Sequence, residues 1–237
     1  MDPFLNGKEK SLITLADKLA EVNYRIAQAA SRAGRDRGTV TLIGVTKTAG
    51  REAVAEAFRY GLRDFGENRI PDAEAKFNPL PYPEKAARLH LIGHLQTNKA
   101  KRAVALADLV HSVDSVRLAQ VLSRHAAELG KTLPVLLEIN VAGEESKHGL
   151  SPAELPGILE EVVGLPNLEW RGLMTVAPYF EDPDRTRPVF ARLRELLELH
   201  NPGFNSWRDL SMGMTNDFEV AIEEGATLVR VGRAIFT

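Results

Sequence analysis

The sequence predicts an α/β fold, a single (β/α)8 TIM barrel with an extra N-terminal helix, occupying residues 1–237 as one domain. Three observations carry this expectation. Eight short strand candidates alternate with segments of helical periodicity. Glycine closes several of the helical segments, at the place where a helix ends in a left-handed turn. The length of 237 residues suits one such barrel, because these run to about 200–250 residues as single units. Periodicity does not show closure, so a doubly wound open sheet is the competing architecture.

The opening helix is predicted from Leu12, Leu15, Leu19, Val22 and Ile26, which recur at helical spacing, while Met1 to Gly7 carry no weight. Strands are predicted at 40–46, 62–66, 89–93, 109–113, 134–141, 168–174, 208–212 and 227–231. The first reads Val-Thr-Leu-Ile-Gly-Val-Thr, and such near-continuous apolarity marks a strand covered on both faces, as in a parallel sheet. The segment 134–141, Pro-Val-Leu-Leu-Glu-Ile-Asn-Val, is the strongest pattern, whereas 62–66 and 208–212 depend on their place in the alternation. Helices are expected at 51–60, 97–106, 115–129, 152–163, 186–199 and 217–224, with Gly61, Gly130, Gly164 and Gly225 at their ends. The stretches 77–83 and 181–188 read as surface loops, since closely spaced prolines block regular hydrogen bonding. There is no interdomain linker, internal repeat or low-complexity tract.

Composition narrows the function classes. A hydrophobic content of 44%, a charged content of 26% and a net charge of -2 describe an ordinary soluble protein with no bulk attraction to nucleic acid or anionic membrane. The lack of cysteine excludes disulfides, thiolate metal sites and cysteine nucleophiles, and fits a reducing compartment. No signal-peptide core interrupts the charged first thirty residues, and no apolar window approaches the roughly 20 residues that cross a bilayer. A cytoplasmic location is expected.

Lys47 ends the first strand segment and is followed at once by turn and helix-start residues. That places an amine at the carboxyl edge of the sheet, where α/β folds gather their ligand-binding groups. Partial desolvation there favours a neutral, nucleophilic amine that condenses with aldehydes; the alternative is a lysine whose head snorkels to water. Ser211-Met-Gly213-Met-Thr-Asn-Asp-Phe-Glu219 places a hydroxyl and a glycine between a strand and a helix, and Asn216 with Glu219 has capping-box spacing. Arg230 interrupts the apolar Thr227-Leu-Val-Arg-Val231 and leads to Gly232-Arg233. A buried guanidinium needs an acceptor, either a core carboxylate or a ligand atom. Because phosphate sites recur after the seventh and eighth strands of such barrels, Ser211, Gly232 and Arg233 could hold one phosphate while Lys47 holds an aldehyde. A phosphorylated aldehyde is implied. His90 and His94 lie in a strand context that favours packing or capping over a metal pair, and no metal site is expected. Lys99-Ala-Lys-Arg102 reads as a solvated helix face, and Asn68 as a capping amide or a group facing the ligand.

In order, Gly44-Val-Thr-Lys47, Asp64-Phe-Gly-Glu-Asn68, Leu91-Ile-Gly-His-Leu-Gln-Thr-Asn-Lys99, Ile139-Asn140, Lys147-His-Gly149, Gly172-Leu-Met174, Ser211-Met-Gly-Met214 and Val229-Arg-Val-Gly-Arg-Ala-Ile-Phe236 resemble the pyridoxal-phosphate homeostasis protein family across nearly the whole chain. The resemblance implies a barrel similar to the amino-terminal domain of alanine racemase, with pyridoxal 5'-phosphate as cofactor. It matches Lys47 to the lysine that forms the Schiff base and Arg230 to the residue facing the pyridine nitrogen. Ser211, Gly213, Gly232 and Arg233 match the phosphate-binding segments, Asn68 and Met174 match pocket-lining positions, and Lys147 matches a loop lysine near the pocket. The family is regarded as a cofactor carrier and regulator of vitamin B6 and amino-acid balance, without established catalysis. The chain departs from it at Ala49-Gly50, where many members have Lys-Pro, at Thr215-Asn216, and at Arg233, often threonine.

An arginine opposite the pyridine nitrogen disfavours its protonation and weakens the ring as an electron sink. Racemases tolerate this but need a second base, which in alanine racemase is a tyrosine from an added β domain. No replacement is evident among the four tyrosines here, and the chain stops at Thr237 without that domain. The expectation is a monomeric carrier of pyridoxal 5'-phosphate with no catalytic residues, whose partners are the cofactor and the apoenzymes that receive it. A racemase or decarboxylase of small amino acids is the alternative, and a Schiff-base aldolase a more distant one.

Overall fold

The computed structural model describes residues 13–78, 86–144, 146–201, 203 and 207–237. Met1 to Gly7, Leu12 and residues 79–83 of the first proline-rich loop lie outside the described residues. In chain order the elements are α1 (Leu15–Arg32), β1 (Thr41–Val45), α2 (Arg51–Arg59), β2 (Asp64–Glu67), α3 (Ile70–Phe77), β3 (Arg88–Leu91), α4 (Ala100–Leu106), β4 (Leu109–Val113), α5 (Val116–Glu128), β5 (Leu133–Glu138), α6 (Leu155–Val162), β6 (Leu168–Met174), α7 (Arg187–Leu199), β7 (Asp209–Met214), α8 (Phe218–Glu223), β8 (Leu228–Val231) and α9 (Arg233–Phe236). All eight strands pair in parallel, each with its successor, and β8 returns to β1 in the register Ile43 to Arg230. The sheet is a closed barrel, and the open doubly wound alternative is excluded.

Helix α1 starts on a capping box in which the Thr14 hydroxyl accepts from Asp17 N–H and the Asp17 carboxylate accepts from Thr14 N–H. Its Leu19, Val22, Ile26, Ala29 and Ala30 face inward. On its outer flank Arg25 and Arg32 pair with Glu219 and Glu223 of α8 at 2.7 and 2.8 Å. The main core lies between strands and helices and is apolar; each fully buried Leu, Ile or Phe there contributes about 1.5–3 kcal/mol relative to exposure. Inside the barrel Ile43, Leu109, Leu136, Met174 and Leu228, one from each of five strands, form a separate apolar cluster.

Several expectations are corrected. Strand 134–141 stops at Glu138, because Asn140 turns the chain through its side-chain bonds to Glu144. Helices α3 and α9 were not among the predicted segments. The stretch 181–188 is not wholly a loop: Asp182 caps a short 3-10 turn, Pro183–Thr186, and Pro188 sits in the first turn of α7, where its missing N–H costs nothing. Gly61, Gly130 and Gly225 take the left-handed conformation expected of helix ends; after α6 Asn167 takes it, at φ 61°, rather than Gly164. The capping box of Asn216 and Glu219 does not form, because Glu219 is held by Arg25, the Asn216 amide donates to Phe180 O, and Asp217 accepts from Met214 N–H instead.

Candidate functional site

The carboxyl ends of the strands surround a cavity of about 460 Å³. Lys47 and Asn68 enter it after β1 and β2, Val176 to Tyr179 after β6, Met214 to Asp217 after β7, and Arg230, Gly232 and Arg233 from β8 and its end. It brings together Lys47, Asn68, Arg230, Gly232 and Arg233 of the predicted site.

Lys47 lies in a turn two residues past β1 and is exposed, so burial does not desolvate it as the sequence suggested. Its backbone is fixed from beneath. The buried Thr46 hydroxyl donates to Glu67 Oε1 at 2.5 Å, and Lys76 Nζ reaches both Thr46 O and Glu67 Oε1 at 2.6 and 2.7 Å. The Lys47 amine makes no hydrogen bond or ion pair among the described residues. Asn68 is placed by β2 and kept close to β3 by Gly93, where a Cβ would stand 2.4 Å from Asn68 O.

Arg230 is buried, with 4% exposure, and its hydrogen bonds go to neutral acceptors: Nη1 to Ser211 Oγ at 2.5 Å and Nη2 to Thr175 O at 2.9 Å. No carboxylate pairs with it among the described residues. Burial pushes its pKa down to about 10, against the partial opposition of Glu138 and Asp217, so it stays charged at neutral pH. A buried cation whose partners are a hydroxyl and a carbonyl retains capacity for an electron-rich ligand atom. Around it, burial raises the Asp217 carboxyl, and burial followed by the repulsion of Asp114 lifts Glu138 to about 7.

Three predicted residues are placed elsewhere. Ser211 is fully buried, its hydroxyl committed to Arg230 and to His111 Nδ1 at 2.8 Å, so it does not reach the cavity as a phosphate ligand. Met174 packs in the barrel-interior cluster below the cavity. Gly213, at φ 89°, serves packing: a Cβ there would lie 2.5 Å from Ala221 Cβ and 2.9 Å from Phe218 Cα. Thr215, one of the departures from the family pattern, stands at the cavity wall instead, where its Oγ1 accepts from Gly232 N–H at 3.4 Å. Lys147 donates to Glu144 Oε1 and to the carbonyl of cavity residue Val176. Tyr179 also lines the cavity, so a tyrosine stands at the site after all. Arg102 pairs with Glu74, and the Lys99 to Arg102 face is solvated as predicted.

On the rim, donor atoms of His94, Asp114 and His148 lie within 4.8 Å of one another. The two imidazoles are stacked face to face, with centroids 3.7 Å apart and planes 13° from parallel. A shared ion would have to lie in both ring planes at about 2.0–2.1 Å from each nitrogen, which stacked rings do not allow. Asp114 instead binds His94 Nδ1 at 3.0 Å.

An eight-stranded parallel barrel with a lysine, a buried arginine and a glycine turn gathered at its carboxyl mouth belongs to the class of ligand-binding (β/α)8 barrels. The comparisons define it more closely. Residues 18–237 match the family model described as alanine racemase, N-terminal domain. Proteins named pyridoxal phosphate homeostasis protein are similar over most of their length: that of Aquifex aeolicus is 41% identical over 93% of this chain and 96% of its own, and that of Pseudomonas aeruginosa 44% over 94% and 95%. PipY of Synechococcus elongatus, solved with PLP bound, is 36% identical with a TM-score of 0.80, covering 94% of this chain and 100% of PipY. The chain belongs to the pyridoxal phosphate homeostasis protein family.

Proposed function

We propose that this chain binds pyridoxal 5'-phosphate in the carboxyl-end cavity and serves cellular homeostasis of that cofactor as a single-domain carrier rather than as an enzyme. The observation that carries the proposal is Arg230, a buried guanidinium without a carboxylate partner, sharing one cavity with the unpaired amine of Lys47. The cofactor, when bound, supplies an aldehyde for the lysine and a pyridine ring whose nitrogen accepts a hydrogen bond. Lys47 would tether the aldehyde, Arg230 would face the ring nitrogen and disfavour its protonation, and Asn68 would line the ring side of the pocket. Thr215, the Gly232 backbone and Arg233 would hold the phosphate. Apoenzymes that use the cofactor are the recipients.

Borohydride reduction of protein mixed with pyridoxal 5'-phosphate, followed by peptide mass spectrometry, should fix one adduct on Lys47. An adduct spread over surface lysines, or none, overturns the assignment. Tyr179 supports the second reading, a racemase-like activity, since a phenol at the cavity wall is the type of group such chemistry uses. Against it, the Tyr179 hydroxyl has no hydrogen-bond partner among the described residues to orient or activate it. Chiral analysis of alanine incubated with the loaded protein and with Tyr179→Phe decides: turnover above that of the cofactor alone, lost in the variant, would establish the enzyme.

A further inference from the structure

Below Arg230 an unbroken line of buried polar groups crosses the barrel interior. Ser211 Oγ lies 2.8 Å from His111 Nδ1, His111 Nε2 lies 2.9 Å from His90 Nδ1, and His90 Nε2 lies 2.9 Å from Asp64 Oδ1. The members come from β8, β7, β4, β3 and β2, and their exposures are 4, 0, 0, 4 and 5% from Arg230 to Asp64. At the far end Arg88 clasps Asp64 with two bonds, of 2.7 and 2.8 Å.

The ends of this line fix its direction. Arginine can only donate and an ionised carboxylate can only accept. With Arg230 donating to Ser211, the buried Ser211 proton has one acceptor in reach, His111 Nδ1. His111 then carries its proton on Nε2 and donates to His90 Nδ1, and His90 donates through Nε2 to Asp64. The Ser211 hydroxyl proton and all four ring nitrogens then each have one partner along the line. The reverse order would leave the Ser211 proton without an acceptor in a dry interior, which costs more than any bond it would gain. His111 is held neutral chiefly by its burial and further by the nearby charge of Arg230, while Asp64 stays ionised because bonds from His90 and Arg88 outweigh its burial.

We propose that Ser211, His111, His90 and Asp64 are positioning residues for Arg230: a polarised hydrogen-bond line that locks the guanidinium toward the cavity and connects its charge to a carboxylate at the opposite end of the barrel. The role rests on the cofactor reading above, because the group presented with the guanidinium is the pyridine nitrogen. The line itself is a property of the chain alone. It explains why a charge with no adjacent carboxylate keeps one orientation: its counterion is relayed through three side chains rather than placed beside it.

Two measurements test this. In the protein without cofactor, nitrogen-15 NMR of the histidine rings should show His90 and His111 neutral, with the proton on Nε2 in both. A proton on His111 Nδ1, or a doubly protonated His90, overturns the stated polarity. With cofactor, His111→Leu should raise the dissociation constant about tenfold, the size of one lost charge-assisted hydrogen bond. It should also move the nitrogen-15 shift of ring-labelled cofactor toward the protonated position. His111→Gln, which keeps an acceptor toward Ser211 and a donor toward His90, should restore both. If His111→Leu does not fold, Ser211→Ala carries the same readouts. Parental affinity and parental ring shift in the broken variant overturn the positioning role and leave the cofactor reading intact, whereas a parent protein that takes up no cofactor overturns that reading and the role together.

Discussion

The barrel has a cavity at each end, both containing arginine, and the two differ in where the charge goes. At the amino end, in a cavity of about 530 Å³, Arg88 closes a two-bond pair with Asp64 and Arg171 pairs with Asp209 at 3.0 Å. At the carboxyl end Arg230 hydrogen-bonds only neutral acceptors, Ser211 Oγ and Thr175 O, and no carboxylate pairs with it among the described residues. The arginines of the larger cavity are therefore matched by carboxylates, whereas the arginine of the smaller one keeps capacity for a ligand.

The comparison can be broken in stages. The largest expected effect is that of Lys47→Ala, which removes the single cavity amine and should abolish the reducible adduct; an adduct persisting at another cavity position would show that the tether was misplaced. Next, Arg230→Met should weaken cofactor binding by about 100-fold, equivalent to about 3 kcal/mol, while leaving the cofactor-free protein as stable as the parent or more so. The physical ground is that a buried cation with no carboxylate beside it costs folding energy. A large loss of stability on denaturant unfolding would mean that the guanidinium is structural, like those at the other end. Arg171→Met should do the reverse, costing about 1–3 kcal/mol by leaving the buried Asp209 carboxylate without its partner, with cofactor affinity within about twofold of the parent. A drop in affinity would show that the amino-end cavity is not energetically separate.

The smallest effect depends on pH. Glu138 titrates at about 7 in the folded chain, raised from 4.5 by burial and by Asp114, and its Oε2 has no partner. The folded state therefore holds a proton that the unfolded state releases, and stability is lost as pH rises from about 4.5 to 7, by up to about 3 kcal/mol. Glu138→Gln should gain stability over the parent at pH 8 and very little at pH 5, read from paired melting curves. Equal gains at both pH values would place the Glu138 proton elsewhere.

Much of the barrel could be read from local pattern. The predicted segments 109–113 and 168–174 coincide with β4 and β6, because each is bounded by turn and helix-start residues that end the strand. Lys47 and Arg230 were legible as charges ending or interrupting apolar runs. What stayed hidden depends on contacts between strands. Nothing in the spacing of His90 and His111 tells that their rings meet, and a serine after a strand looks the same whether it turns up to a phosphate or inward to a histidine. Polar residues within strands did carry a signal: His90, His111 and Ser211 each stand among apolar residues and each proves to be buried inside the barrel. Tyr179 escaped because its position is set by the loop after β6, which has no periodicity to read.

The seam between β1 and β8 also determines when the site comes into being. Lys47 follows β1 while Arg230, Gly232 and Arg233 belong to β8 and the turn beyond it, so the binding groups meet only after the first and last strands have paired. Among the strand pairings it has the greatest sequence separation and bears the heaviest loop-closure cost. During synthesis on the ribosome, Lys47 emerges long before Arg230. A growing chain carries the amine without the cavity around it, and the cavity is complete only when the final strand seals the barrel.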